Sequence, residues 1–154
     1  MSLLERLATV QLVPPTPFSP DGRRVLSETL AALVKELSAT GIRVFLPAAG
    51  TGEFHSLSVD EVLECVGVVR RSVAADAVVV APVGFALEPS LHIARAATDL
   101  GADALLVMPP VHNYLADVGF RDYLDALRAA TTLPLLCYKK GPVPSDKLLL
   151  ELGR

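Results

Sequence analysis

The sequence predicts an α/β fold in which short parallel strands alternate with helices. Five continuous apolar runs are separated by longer stretches in which apolar residues recur with helical periodicity. The runs begin at positions 9, 42, 77, 104 and 133, a mean spacing of about 31 residues. This spacing is typical of a repeated β/α unit, and eight such units make up about 250 residues. The chain has 154 residues, so we expect about five units.

We place the five strands at residues 9–13, 42–47, 77–83, 104–108 and 133–138, each bounded by glycine, proline or small polar residues. Continuously apolar strands need cover on both faces of the sheet. A closed barrel provides that cover, and so does an open, doubly wound sheet of the flavodoxin type. Periodicity therefore leaves both architectures open.

The intervening helices are predicted from single apolar stripes and from local end signals. The stripes are Leu30, Leu33, Val34 and Leu37; Val62, Val66, Val69 and Val73; and Phe120, Tyr123, Leu124 and Leu127. Ser58 and Glu61 form a capping box for the second helix, and Pro89 suits the first turn of the third. Gly41 and Gly101 stand where helices are expected to end.

Composition argues against several classes of function. The formal charge of −3 and the scattered Lys and Arg give no basic stripe for nucleic acid. The longest apolar runs are about half the length that a membrane helix needs, and the first residues lack the features of a signal peptide. Cys65 and Cys137 lie in apolar patterns typical of buried thiols, so we expect a reducing cytoplasm.

The first candidate site is the segment Ala49-Gly50-Thr51-Gly52-Glu53-Phe54, which follows the second strand. Two glycines permit tight turns in which main-chain N–H groups and the Thr51 hydroxyl converge on an anionic oxygen. A substrate carboxylate would suit such a nest. The alternative is an ordinary strand-to-helix loop in which glycine supplies a positive φ and Glu53 bonds to the backbone.

Several segments together resemble the dihydrodipicolinate synthase and N-acetylneuraminate lyase family. They are residues 50–58 (GTGEFHSLS), 15–18 (PTPF) and 21–22 (DG), with 101–110 (GADALLVMPP) and 133–138 (LPLLCY) at matching spacing. The similarity covers nearly the whole chain. It implies an eight-unit TIM (β/α)8 barrel, in which residues 1–154 form the first five units as one partial domain without a second domain.

The resemblance also implies a chemistry. Family members are lyases that join a lysine to pyruvate or another 2-oxo acid as a Schiff base, then make or break a C–C bond or expel water. They use no metal or organic cofactor and form dimers or tetramers. Thr51, flanked by Gly50 and Gly52, falls on the position that holds the substrate carboxylate, and Tyr138 falls on the proton-relay tyrosine. The alternative role of Tyr138 is an aromatic cap on the core.

Two departures from the family pattern bear on specificity. The synthases carry two threonines in the glycine-rich loop, whereas Gly50 precedes Thr51 here. This difference favours the 5-dehydro-4-deoxyglucarate dehydratase branch. After the fourth strand, where the synthases place a tyrosine, the chain has Val111, followed by His112 and Tyr114, either of which would serve as a relay only if the loop is shifted.

The resemblance places the Schiff-base lysine on a sixth strand, beyond this chain. Lys139, Lys140 and Lys147 come too early, so we expect none of them to be the nucleophile and little activity from these residues alone. The three histidines, His55, His92 and His112, have no second ligand at a metal-binding spacing, which argues against a metal site.

Two other functions remain open. One is a non-catalytic partial barrel that self-associates, because five barrel strands leave two long edges and an uncovered interior. The other is a flavodoxin-like domain that binds a small molecule, which requires the first strand to lie in the middle of the sheet.

Overall fold

The computed structural model describes residues 1–153. Within them, the strands are β1 (Gln11–Leu12), β2 (Val44–Phe45), β3 (Val78–Val83), β4 (Ala104–Val107) and β5 (Leu135–Cys137). The helices are α1 (Leu3–Leu7), α2 (Ser27–Ala39), α3 (Val59–Ser72), α4 (Leu87–Asp99), α5 (Asp117–Ala130) and α6 (Asp146–Leu152). Two 3-10 turns, Gly50–Gly52 and Phe54–Ser56, lie between β2 and α3. All five predicted strands are present.

The strands form one parallel sheet in the order β1-β2-β3-β4-β5. Each strand pairs with the next along the chain, as in a β/α barrel. A flavodoxin-like sheet would have its first strand in the middle. The flavodoxin-like alternative is therefore wrong.

β1 and β2 are shorter than predicted at both ends, and a proline stands two residues beyond the carboxyl end of each. Pro14 and Pro47 lack the N–H group that a continuing strand would donate. One further bond extends the pair, since the Leu46 N–H donates to the Leu12 carbonyl at 2.8 Å. The loops at the carboxyl ends of β1 and β2 therefore begin just before these prolines.

The outer face of the sheet packs against the helices through the predicted stripes. The buried members are Leu30 and Val34 of α2, Val62, Val66 and Val69 of α3, and Phe120, Tyr123, Leu124 and Leu127 of α5. Ser58 caps α3 and Glu61 completes the capping box, as predicted. Gly41 and Gly101 take positive φ angles of 97° and 79° where α2 and α4 end, which L side chains adopt rarely.

The inner face of the sheet is covered at one end by α1, which the sequence analysis did not predict. Leu3 and Leu7 of this helix belong to a second apolar cluster formed by inward-facing strand residues. Those residues are Val44, Leu46, Ala49, Val78, Val80 and Ala104. The expectation of an uncovered interior is wrong for β2, β3 and the start of β4, where Val44, Val78 and Ala104 are 0% exposed.

The two cysteines carry free thiols in the structure. Cys65 on α3 is fully buried, and burial is the main cause that raises its pKa to about 11. Cys137 on β5 is half-buried, and burial raises its pKa as well. Within residues 1–153, no helix combines the length and the apolar character that a bilayer crossing requires.

Candidate active site

A cavity of about 520 Å³ lies at the carboxyl ends of the strands. This is the edge at which β/α barrels carry their active sites, and the volume is in the range of small-molecule pockets. The loops after β2, β4 and β5 form its walls. Its lining residues are Gly50, Thr51, His55, Met108, Pro109, Val111, Tyr138, Lys140, Gly141 and Val143.

The loop after β2 contributes Gly50 and Thr51 from a 3-10 turn. In its first turn, the Gly50 and Thr51 N–H groups have no backbone acceptor within residues 1–153, whereas the Gly52 N–H donates to the Ala49 carbonyl at 2.5 Å. A Cβ atom built on Gly50 would meet nothing within 4 Å. The turn thus leaves two N–H groups without a backbone acceptor, and both of their residues line the cavity.

The positive φ angles of this loop are not on the glycines, contrary to the expectation for an ordinary loop. Ala48 and Glu53 take φ values of 55° and 69°, which are uncommon for residues with a side chain. Gly52 is closely packed, because a Cβ there would lie 3.2 Å from the Pro14 carbonyl oxygen. Gly52 is buried and does not line the cavity.

Thr16, in the loop after β1, fixes the position of the glycine turn. Its buried hydroxyl donates to the Gly52 carbonyl at 2.6 Å. The Thr16 side chain also interacts with Cys65, and this interaction opposes the upward shift of the Cys65 pKa. Thr16 belongs to the motif at residues 15–18, and its local sequence predicts no role for it. A small polar residue between two prolines beside a strand end is the signal that was available.

Tyr138 follows β5 and brings a phenol to the same cavity as Thr51. Its backbone N–H donates to the Val107 carbonyl at 2.9 Å, which fixes the residue to the sheet. The residue is 43% exposed, and its hydroxyl makes no hydrogen bond within residues 1–153. Tyr123 differs: its hydroxyl donates to Ser90 Oγ at 2.6 Å, and burial raises its pKa.

The loop after β4 places Val111 in the cavity lining but neither His112 nor Tyr114. Tyr114 is 89% exposed, and its N–H donates to His112 Nδ1 at 3.2 Å. In this conformation the loop brings no proton-relay group into the cavity, so the possibility raised for His112 and Tyr114 finds no support here.

The three lysines near the end of the chain have different surroundings. Lys139 Nζ donates to the Gly141 and Pro144 carbonyls at 3.1 and 2.8 Å. Lys140 lines the cavity and makes no hydrogen bond or ion pair within residues 1–153. Lys147 lies on α6, away from the cavity, beside Asp117 and Glu151.

The charge of the cavity is uneven. No Asp or Glu is among its lining residues, while Lys140 and His55 are. Such a surface favours an anion over a cation. Across residues 1–153, no three His, Cys, Asp or Glu side chains come together as a metal ion would need.

Comparison with known proteins agrees with the resemblance seen in the sequence. The model of the dihydrodipicolinate synthetase family matches residues 6–151. A probable 5-dehydro-4-deoxyglucarate dehydratase from Streptomyces coelicolor is 38% identical over 136 residues, which are 88% of this chain and 42% of that protein. A 4-hydroxy-tetrahydrodipicolinate synthase from Haloarcula marismortui is 34% identical over 84% of this chain and 41% of its own length.

Solved structures confirm the predicted barrel class. A dihydrodipicolinate synthase from Bacillus clausii superposes with a TM-score of 0.91 at 32% identity, covering 98% of this chain and 51% of that one. An N-acetylneuraminate lyase from Mycoplasma synoviae superposes with a TM-score of 0.81 at 25% identity, covering 90% of this chain and 49% of that one. The chain thus spans about half the length of the relatives it matches, and it belongs to the dihydrodipicolinate synthetase family.

Proposed function

We propose that this chain forms the carboxylate-binding and proton-relay part of the active site of a lyase that acts on a 2-oxo acid. One observation carries the proposal: Thr51 and Tyr138, distant in sequence, line one cavity at the carboxyl ends of the strands. The names of the relatives, dehydratase, synthase and lyase, support a reaction of this class.

The substrate carboxylate would bind at the glycine turn. The Gly50 and Thr51 N–H groups are available as donors there, and the Thr51 hydroxyl adds a third. Main-chain donors in a fixed turn bind an anion without losing side-chain entropy. Gly52 would contribute by letting the turn pack against Pro14, since its own N–H is already used.

Tyr138 would move protons while the Schiff base forms. A lysine amine adds to the 2-oxo carbonyl to give a carbinolamine, which then loses its hydroxyl as water. The phenol can give a proton to the leaving oxygen and recover one from the nitrogen, because a phenol both donates and accepts. We place the lysine on a strand after β5 in the complete barrel. The resulting iminium is itself an electron sink, so the proposal requires no metal or organic cofactor.

Within this class we favour dehydration of a 2-oxo acid over condensation or cleavage. The glycine turn has Gly50 where the synthases have a threonine. Relatives named as dehydratases from Streptomyces are up to 39% identical. We further propose one barrel domain, a homo-oligomer and a cytoplasmic location, which agrees with the two free thiols.

The test combines ligand binding by this chain with trapping in the complete enzyme. Pyruvate titrated into the isotope-labelled chain is expected to shift the amide signals of Gly50 and Thr51, and Thr51→Val is expected to weaken binding. In the complete enzyme, borohydride with pyruvate is expected to leave a stable adduct on one lysine outside residues 1–154. The absence of any lysine adduct would contradict the Schiff-base mechanism.

A second candidate is a partial barrel that acts by self-association. Leu106 and Leu136 point to the inner face and are only half-buried, beyond the cover that α1 provides. The β5 edge has no further neighbour within residues 1–153. Light scattering on the purified chain distinguishes the candidates, because a monodisperse monomer across a wide concentration range contradicts self-association.

A further inference from the structure

We propose that Lys139 is a positioning residue, which shapes the loop after β5 through hydrogen bonds to the Gly141 and Pro144 carbonyls and so holds one wall of the cavity in place. The inference rests on the proposed function and assigns a task to a lysine outside the cavity lining. Tyr138 and Lys140, the neighbours of Lys139 in sequence, both line the cavity.

The main chain of this loop does not hold its own shape. Residues 139–144 make no backbone–backbone hydrogen bond within residues 1–153. Two of them are prolines, which lack an N–H group. The loop nevertheless contributes Lys140, Gly141 and Val143 to the cavity wall. Its conformation therefore depends on contacts made by side chains.

The Lys139 ammonium makes three such contacts. Its Nζ donates to the Gly141 carbonyl at 3.1 Å and to the Pro144 carbonyl at 2.8 Å, and it lies 3.2 Å from a carboxylate oxygen of Asp146. An ammonium group has three protons to donate, so these three acceptors can use all of them. Hydrogen bonds from a charged donor are stronger than those between neutral groups.

The two carbonyls belong to parts of the loop with different surroundings. Val143 is half-buried and packs against the core, and Pro144 is buried. Residues 140–142 are exposed and have no comparable packing. The Lys139 side chain thus joins the exposed part of the loop, at Gly141, to the packed part. Without this link, the exposed part would gain the conformational entropy that an ordered backbone gives up.

A loosened loop would weaken ligand binding without touching the glycine turn. If the wall next to Tyr138 is in place for only a fraction of the time, the apparent affinity for a ligand falls by that fraction. Removing the Lys139 amine is therefore expected to change both the order of the loop and the affinity of the cavity, although the amine itself does not line the cavity.

Lys139→Met tests the proposal, because it keeps an unbranched side chain but removes the donors. Nitrogen-15 relaxation on the labelled chain is expected to give order parameters of about 0.85 for the Lys140 and Gly141 amides in the wild type and below about 0.6 in the variant. The Val143 amide is expected to stay rigid in both. Calorimetry is expected to show about tenfold weaker pyruvate binding, as for a wall that is in place about a tenth of the time.

Two variants serve as controls. Lys147→Met makes the same substitution on α6, outside the cavity lining, and is expected to keep the loop order and the affinity of the wild type. Asp146→Asn removes the ion pair but not the carbonyl bonds. It is also expected to keep both, because the Asp146 side chain is 85% exposed and such pairs contribute little. Losses in either control equal to those in Lys139→Met would overturn the role of the two carbonyl bonds.

The remaining outcomes separate this inference from the proposed function. Unchanged order parameters at Lys140 and Gly141 in Lys139→Met would overturn the inference and leave the proposed function intact. A loosened loop with unchanged pyruvate affinity would overturn the positioning role, again without affecting the proposed function. If the wild-type chain binds no pyruvate, the proposed function fails and the positioning role fails with it.

Discussion

The Thr16 hydroxyl donates a hydrogen bond of 2.6 Å to the carbonyl oxygen of Gly52. This bond joins the loop after β1 to the glycine turn after β2 and is buried. Thr16 does not line the cavity itself, yet its hydroxyl holds the turn that contains Thr51. The contribution of this hydrogen bond to stability can be measured with a Thr16→Val variant, because valine has nearly the shape of threonine but no hydroxyl.

We expect Thr16→Val to lower the free energy of unfolding by about 1–3 kcal/mol, since it leaves a buried carbonyl without its donor. Pyruvate affinity is expected to fall as well, because the turn loses its support. Urea unfolding and calorimetry measure the two effects. Thr132→Val is the control, since Thr132 is exposed and makes no side-chain hydrogen bond within residues 1–153. Unchanged stability in Thr16→Val would contradict the role of this bond.

The two glycines of the turn are expected to respond differently to alanine. Gly52→Ala would place a Cβ 3.2 Å from the Pro14 carbonyl oxygen, a backbone atom that cannot rotate away. We expect a loss of about 1–3 kcal/mol in unfolding free energy, as for overpacked cores. Gly50→Ala has open space at this position and is expected to stay within about 0.5 kcal/mol of the wild type. Denaturant titrations measure the unfolding free energy of both variants. Similar losses in Gly52→Ala and Gly50→Ala would contradict the different roles of the two glycines.

Tyr138→Phe is expected to lower turnover of the complete enzyme by about a hundredfold or more while leaving stability nearly unchanged. The phenol makes no hydrogen bond within residues 1–153, and the backbone bond to Val107 remains. Tyr123→Phe is the opposite control, because it removes the buried bond to Ser90 and is expected to cost about 1 kcal/mol of stability. Kinetics paired with thermal unfolding measure both. Parallel losses of activity and stability in Tyr138→Phe would indicate a core role instead.

Acid stability is expected to depend on Asp117, which joins the start of α5 to the start of α6. Its carboxylate accepts hydrogen bonds from the Ser145 hydroxyl and, at 2.8 Å, from the Ser145 N–H. These bonds, the hydroxyl first, lower the pKa of Asp117 below its ordinary value of 3.8. A lowered folded-state pKa adds stability that is present above pH 3.8 and is lost as the pH falls through the folded-state value.

Asp117→Asn is therefore expected to be less stable than the wild type at neutral pH and to show a shallower loss of stability in acid. Unfolding midpoints across the acid range measure this dependence. Asp122→Asn, on an exposed position of the same helix without a side-chain hydrogen bond within residues 1–153, is expected to follow the wild type. Identical acid profiles for Asp117→Asn and the wild type would contradict the assignment.

Sequence patterns predicted those parts of the fold that short-range interactions determine. The capping box of Ser58 and Glu61 is predictable from the sequence because its partners lie three residues apart. Helix α1 begins with the same signature, Ser2 and Glu5, yet it was missed. With five residues and only Leu7 buried, it is too short to show a periodic stripe. Its place in the fold depends on the inner face of the sheet, which is made of distant strands.

The residues of the candidate site also fall into two groups, those that sequence motifs identify and those that only the tertiary structure brings to the cavity. The glycine turn and Tyr138 were identified in the sequence because they belong to a recognisable order of motifs. The ordinary-loop alternative gave the glycines a positive φ, but the positive φ angles lie on Ala48 and Glu53, and Gly52 instead lies close to Pro14. The participation of His55 and Lys140 was not predicted. Nothing in their local sequence indicates that their two turns face the same cavity.

The sequence by itself determined the β/α order, the helix faces, the family and the two motif-bearing side chains, because each depends on neighbours along the chain or on a preserved order of motifs. Tertiary structure alone decided the sequential parallel order of the sheet, the cover of its inner face by α1, and the meeting of Thr51, Tyr138, His55 and Lys140 around one cavity. Parallel strands bring all their carboxyl ends to one edge. Which side chains of those loops then face each other depends on packing between residues far apart in sequence.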